Sequence, residues 1–181
     1  MMSVVLKKVN FFLLFYLVLS SFAFCADLNF IKIDKKVNES LTLKSLSKKM
    51  DSTNENDDIN IKDLKGFIIL NFWASWCGPC EDEIKDINEF IDLRNNLHPD
   101  VKIYGINIFD TKKDALRFKK KNPMNYPNFY DSTNTIPVFF GISGVPETYF
   151  LKDNVIIYKY VGKINSDDLL KGINKAKSFN N

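Results

Sequence analysis

Two cysteines three residues apart, in Trp76-Cys77-Gly78-Pro79-Cys80, sit where an apolar run gives way to an amphipathic stretch, and that junction limits the folds open to the chain. Upstream, Phe67–Trp73 (FIILNFW) combines β-branched and aromatic side chains behind Gly66, the pattern of a strand buried on both faces. Downstream, Ile84, Ile87, Ile91 and Leu97 recur at helical spacing. Pro79 falls where a missing backbone N–H costs least, and Glu81, Asp82 and Glu83 complement the positive end of a helix dipole. At a helix start, positions i and i+3 bring their Cβ atoms to disulfide distance, and the helix N-terminus stabilises a thiolate on the first. The spacing therefore predicts Cys77 as a nucleophile and Cys80, one turn in and less exposed, as the thiol that resolves a mixed disulfide on Cys77.

The remaining chain alternates strands with helices. Residues 101–108 (VKIYGINI) read as a second strand, and Lys112–Lys121 as a short helix halted by Asn122 and Pro123, completing a β-α-β unit. Residues 148–151 and Val155–Val161, joined by Lys152, Asp153 and Asn154, read as an antiparallel hairpin. A last amphipathic helix carries Leu169, Ile173 and Ala176 on one face, with Ser166 as the expected cap and Asp167 and Asp168 in its first turn. Earlier in the chain, residues 30–33 offer a short strand, Leu41, Leu43 and Leu46 a weak helical pattern, and residues 50–60 a polar, exposed excursion. With 181 residues, 45% of them hydrophobic and 16 of them Phe, there is material for one packed α/β domain.

Residues 1–26 are of a different material. Lys7 and Lys8 precede an apolar run over residues 11–19 and an exit through Ser20, Ser21 and Ala23, the layout of an export signal. Counted from Val9 to Ala26 the stretch holds 18 residues, at the lower limit of the roughly 17 to 25 that span a bilayer. It is expected as a signal peptide or a membrane anchor, with a single domain over residues 27–181 outside in either case. Cys25 belongs to this segment. Of the 25 Lys and Arg side chains, Lys7 and Lys8 lie in it too, which leaves the domain 23 basic against 22 acidic groups. That near balance removes the electrostatic footprint of a nucleic-acid binder, and the basic stretch at residues 119–121 reads as a solvated helix end.

Rival meanings of the cysteine pair fit less well. Zinc needs about four ligands, and outside the pair only Cys25 and His98, the latter in a His-Pro-Asp turn, remain from the sulfur and imidazole classes. Attachment of a c-type haem needs His after the second cysteine, where Glu81 stands. A peroxidatic cysteine of the peroxiredoxin kind would have Pro seven and Thr or Ser three residues before it, where this chain has Leu70 and Ala74. Disulfide exchange remains, with no cofactor beyond the redox-active Cys77 and Cys80.

Residues 71–80 (NFWASWCGPC) with Glu83, and Gly141-Ile142-Ser143-Gly144-Val145-Pro146-Glu147-Thr148, resemble the exported thioredoxin-like proteins of the TlpA/ResA/DsbE group. The resemblance is greatest to its DsbE (CcmG) branch, the thiol:disulfide reductases of cytochrome c maturation. Gly162-Lys163-Ile164-Asn165 is similar to the same branch, and the likeness covers roughly residues 66–176. It implies a thioredoxin-like fold, with a central mixed sheet flanked by helices. It implies that Pro146 is a cis proline facing the cysteines, its neighbour Val145 turning backbone toward a substrate chain as a docking edge. Glu83 and Glu147 would oppose a second negative charge on the thiols or exchange a proton with them, Glu147 alternatively contacting a partner. Trp76 would pack against the pair and shape the docking surface. Asn71 stands where thioredoxin has a buried Asp, so proton handling passes to the two glutamates.

The resemblance thus implies a periplasmic protein-disulfide reductase, free or anchored on the outer face of the cytoplasmic membrane. Its client would be apocytochrome c or a maturation chaperone, and a membrane electron donor would re-reduce it. Two alternatives remain at this point: the same chemistry on copper-site cysteines in cytochrome oxidase assembly, or a thiol-based copper-binding or chaperone module without enzymatic turnover.

Overall fold

The computed structural model describes residues 29–46 and 58–179. The expected export segment, with Cys25, and most of the polar excursion at 50–60 lie outside the described residues. The strands are β1 Phe30–Lys36, β2 Thr42–Ser45, β3 Ile59–Asn60, β4 Phe67–Trp73, β5 Val101–Asn107, β6 Asn128–Tyr130, β7 Glu147–Lys152 and β8 Val155–Val161. The α-helices among the described residues are α1 Gly78–Leu97, α2 Lys112–Lys121, α3 Thr135–Phe140 and α4 Ser166–Lys177. All the strands join one mixed sheet in the order β1-β8-β7-β4-β5-β6-β2-β3.

β4 occupies the middle because its sequence is apolar on both faces. It runs parallel to β5 and antiparallel to β7, and every residue after Phe67 in it is buried. Ile68, Leu70 and Phe72 face one side, where they meet Tyr149 and Leu151 of β7 and Ile136 and Phe140 of α3. Ile69 faces the other side, against Ile87 and Phe90 of α1 and Leu169 and Ile173 of α4. Each such side chain contributes roughly 1.5–3 kcal/mol on leaving water, so the strand's strict alternation assigns α1 and α4 to one face and α3 to the other. Helix α4 approaches so closely that a Cβ on Gly172 would overlap the ring of Phe150.

The β4-α1-β5 unit, the α2 helix and the β7–β8 hairpin are as the sequence predicts, the hairpin turning on Asp153 and Asn154, both with positive φ. Other expectations need correction. Leu41, Leu43 and Leu46 do not lie on a helix. Leu41 and Leu43 are buried at a spacing of two, and Thr42–Ser45 is a strand paired antiparallel with β6 and β3. Helix α4 is capped by Asn165, whose Oδ1 accepts the Asp168 N–H at 2.9 Å, while Ser166 Oγ donates to the Asp86 carbonyl. Lys119 is not a solvated helix end: its Nζ donates to the Leu46 carbonyl at 3.1 Å, and burial pushes its pKa down.

Three strands or helices, β3, β6 and α3, are absent from the sequence reading, β3 falling at the end of the stretch read as an exposed excursion. β6 has three residues, too few to show a period. Helix α3 starts from Asn134 in the left-handed conformation and depends on Asp131. The buried Asp131 carboxylate accepts the N–H groups of Thr133, Asn134 and Ile136, supplying the free donors of the first turn from outside the helix.

Candidate active site

Cys77 and Cys80 are joined by a disulfide, their Cα atoms 5.3 Å apart, across the first turn of α1. The Cys80 N–H points at Cys77 Sγ from 3.1 Å. This is a helix-start donor aimed at the first sulfur, and it favours negative charge there once the S–S bond opens. Both cysteines are buried, Cys77 at 4% exposure and Cys80 at 1%. The intervening Gly78 and Pro79 are exposed.

The Val145–Pro146 peptide is cis. Its Val145 carbonyl oxygen lies 3.5 Å from Cys77 Sγ, within reach of a reduced thiol as hydrogen-bond donor. The Pro146 carbonyl accepts the Gly162 N–H at 3.0 Å, which ties this loop to the end of β8. The docking edge implied by the resemblance is therefore beside the sulfur it would serve.

Glu83 lies one helical turn beyond Cys80 on the same face of α1, and it is 1% exposed. Oε1 accepts from Asn71 Nδ2 at 2.7 Å and Oε2 from the Ile164 N–H at 2.9 Å. Asn71 Nδ2 also reaches Thr148 Oγ1 at 3.2 Å. Burial raises the Glu83 pKa, and the two N–H donors and Lys163 pull it back, leaving it at about 7. A buried acid poised near neutrality, with Asn71 holding it, is suited to giving and taking a proton at working pH.

Glu147 has a different setting. Thr148 pairs with Asn71 and faces Glu83's side of the sheet, whereas Glu147 pairs with Phe72 and faces the α3 side. Its carboxylate accepts from Lys159 Nζ at 3.1 Å, Tyr149 Oη at 2.8 Å and the Ser143 N–H at 3.3 Å. The structure brings together Cys77, Cys80, Val145, Pro146 and Glu83. It engages Glu147 with the base of the cis-proline loop, on the opposite face from Glu83. The ion pair with Lys159 supplies the partner that a buried carboxylate requires, and Tyr149, beside it, has its phenol pKa pushed up by burial and by that carboxylate.

Trp76 is 63% exposed and donates its Nε1–H to the Phe109 carbonyl at 3.0 Å. The loop holding it is fastened by Asp110, a residue absent from the sequence reading. One Asp110 oxygen takes the Ser75 N–H at 2.7 Å and Asn107 Nδ2 at 3.0 Å; the other takes Ser75 Oγ at 3.0 Å and the Thr111 N–H at 2.8 Å. The available signal was an Asp just before Thr111, the N-cap of α2, which marks a turn but not a tether to the cysteine loop. Among the described residues no three His, Cys, Asp or Glu side chains converge as a set of metal ligands.

The AhpC/TSA family model matches residues 39–160. The thiol-disulfide oxidoreductase ResA of Bacillus thuringiensis is 30% identical over 122 residues, 64% of this chain and 66% of the relative. The thiol:disulfide interchange protein DsbE of Vibrio cholerae is 32% identical over 103 residues, 55% of this chain and 52% of the relative. The chain thus spans just under two thirds of that ResA and about half of that DsbE. The crystal structure of a secreted thiol-disulfide isomerase from Corynebacterium glutamicum superposes with a TM-score of 0.64 at 23% identity, covering 85% of this chain and 95% of that one. This establishes the thioredoxin-like fold, a central mixed sheet flanked by helices.

Proposed function

The chain belongs to the AhpC/TSA family, and from that premise we propose that it is an exported thiol–disulfide oxidoreductase of the ResA and DsbE kind. In this reading it acts as a reductant on apocytochrome c or on the partner that chaperones it. The observation that carries the reading is the Cys77–Cys80 pair at the start of α1, with the Val145 carbonyl 3.5 Å from Cys77 Sγ. A dithiol beside a half-buried backbone edge is an arrangement for exchanging disulfides with another polypeptide.

In the reduced protein the Cys77 thiolate attacks one sulfur of a client disulfide. The client S–S bond breaks, and its other sulfur departs as a thiolate and takes up a proton. Cys80, giving up its proton, then attacks the Cys77 sulfur, closes the Cys77–Cys80 bond and expels the second client sulfur, which is protonated in turn. The client gains two electrons and two protons, and the Cys77–Cys80 dithiol loses them. Glu83, with its carboxyl near neutrality, accepts the Cys80 proton in this scheme.

A membrane dithiol donor must return the electrons, since an oxidising exterior otherwise leaves the pair a spent disulfide. Residues 1–26, read as signal or anchor, and the secreted relative from Corynebacterium support placement outside the cytoplasmic membrane. The Gly-Pro spacer and the buried carboxyl suit a potential nearer the roughly −270 mV of thioredoxin than the roughly −120 mV of the oxidant DsbA. The Gly-x-x-Gly-x-Pro-Glu-Thr stretch of the DsbE branch supports the cytochrome client.

Cys80→Ser in the full chain, expressed in its own cells, leaves Cys77 unable to release a bound client. Acid quenching and mass spectrometry are expected to recover a mixed disulfide on Cys77 with a cytochrome-maturation component. Trapping of copper-site proteins alone would move the client assignment to oxidase assembly. Absence of any mixed disulfide would overturn the oxidoreductase reading itself.

A further inference from the structure

Phe109 holds a backbone conformation that its side chain resists. Its φ is +54°, and the other non-glycine residues with positive φ among those described are Asp34, Asn134, Asp153 and Asn154. Asp and Asn tolerate the left-handed region, whereas a bulky residue there is a steric outlier. Burial does not compensate, because Phe109 is 45% exposed. Strain kept at an exposed position suggests a use for the side chain beyond folding.

The surroundings indicate that use. The Ile108 N–H donates to the Trp73 carbonyl at 3.0 Å, and Asp110 grips Ser75 through both carboxylate oxygens. Phe109 is therefore suspended between two fixed neighbours. Its carbonyl accepts the indole N–H of Trp76, the residue preceding the nucleophilic sulfur. Two exposed aromatic side chains are thus carried by one hydrogen-bonded frame at the edge of the disulfide. Gly78, directly after Cys77, and Gly144, directly before Val145, have no heavy atom within 4 Å of the place a Cβ would occupy.

We infer that Phe109 is a specificity-determining residue: with Trp76 it forms an aromatic landing that reads a large apolar side chain close in sequence to the client cysteine. The occupant is an extended segment of the client polypeptide, because Trp76, bonded to the Phe109 carbonyl, directly precedes Cys77, whose sulfur lies 3.5 Å from the Val145 carbonyl. The inference rests on the oxidoreductase reading and goes beyond it by stating which clients react fast. An apolar contact of this kind discriminates by about tenfold or more.

The test uses the full chain in its reduced form and two disulfide-linked peptides identical except for Phe or Ser beside the cysteine. A small symmetric disulfide, hydroxyethyl disulfide, serves as a probe with no side chain to read. Single-turnover rates are expected to favour the Phe peptide by about tenfold in the wild type and by no more than about twofold in Phe109→Asn, with the small-disulfide rate changed by less than about twofold. The thermal midpoint of Phe109→Asn is expected to equal or exceed that of the wild type, since Asn accepts the left-handed backbone; a purely structural Phe109 would make it fall. Phe109→Gly provides a second variant with the same expected loss of preference. No preference in the wild type, or a preference retained in both variants, overturns the inference alone if the small disulfide is still reduced. Failure to reduce any of the three disulfides overturns the functional reading and the inference together.

Discussion

Cys77→Ser is expected to bring disulfide reduction down to the background rate of the electron donor, measured as insulin reduction with dithiothreitol supplying electrons. Cys77 is the only described cysteine with both a helix-start N–H on its sulfur and a docking carbonyl beside it. A serine hydroxyl retains the position but not the nucleophile, because the thiolate is the reacting species. Cys80, at 1% exposure against 4% for Cys77, is the less accessible sulfur and is not expected to substitute. The appropriate comparison is the reduced wild type, in which the S–S bond is also absent. With no S–S bond in either protein and Ser close to Cys in size, the variant is expected to unfold at nearly the same denaturant concentration as that reference.

The second large effect belongs to Glu83. Burial holds its carboxyl at about 7 in the folded protein, against an ordinary value of 4.5. Below pH 4.5 the group is protonated in both states and the folded form carries no penalty. As pH rises through the interval to about 7 the unfolded chain ionises while the folded one resists, so stability falls, by about 3 kcal/mol in total, and levels off above it. Asp58, Asp100 and Asp114 have their pKa lowered below 3.8: at Asp58 desolvation raises it, but the hydrogen bonds from Lys44 and Ser45 and the nearby lysine charges together outweigh that, and at Asp100 and Asp114 hydrogen bonds with Lys177 and with Thr111 lead. They stabilise the fold above that range and lose this contribution only as pH falls through lower values. The interval from 4.5 to 7 therefore belongs to Glu83.

Glu83→Gln is expected to flatten the stability profile there, because Gln carries no charge and the Asn71 amide can turn to match it. The same substitution is expected to slow exchange at pH 7 by about a hundredfold and to remove an inflection near pH 7 from the rate profile. A variant more stable at pH 8 yet slower separates proton handling from scaffolding. Urea titrations and stopped-flow rates across pH 4 to 9 check both arms.

Much of this was legible in the residues because the strongest signals were local. Phe67–Trp73 announced the central strand by being apolar at consecutive positions, and α1 announced itself by period, proline and an acid, Glu81, in its first turn. The cysteine pair and Val145-Pro146 were identified by spacing and likeness, and the fold brings them together. What escaped was set by distant partners. Leu43 lies in a strand, with Leu41 just before it, because β6 and β3 flank residues 42–45, and a four-residue strand holds too little periodicity to compete with a helical reading. The different settings of Glu83 and Glu147 depend on which side of β4 each reaches, and Glu147 follows the strand's alternation away from Glu83. Asp110 and Phe109 matter through tertiary hydrogen bonds to Ser75 and Trp76, more than thirty residues away, which no local pattern records.

The most direct measurement is the reduction potential of the Cys77–Cys80 pair, obtained by equilibrating the protein with a thiol–disulfide buffer and quantifying free thiols after acid quenching. A client-reducing protein supplied by a membrane donor predicts a value nearer about −270 mV than about −120 mV. A potential at or above about −120 mV would make the pair an oxidant of client thiols and contradict the reductant account.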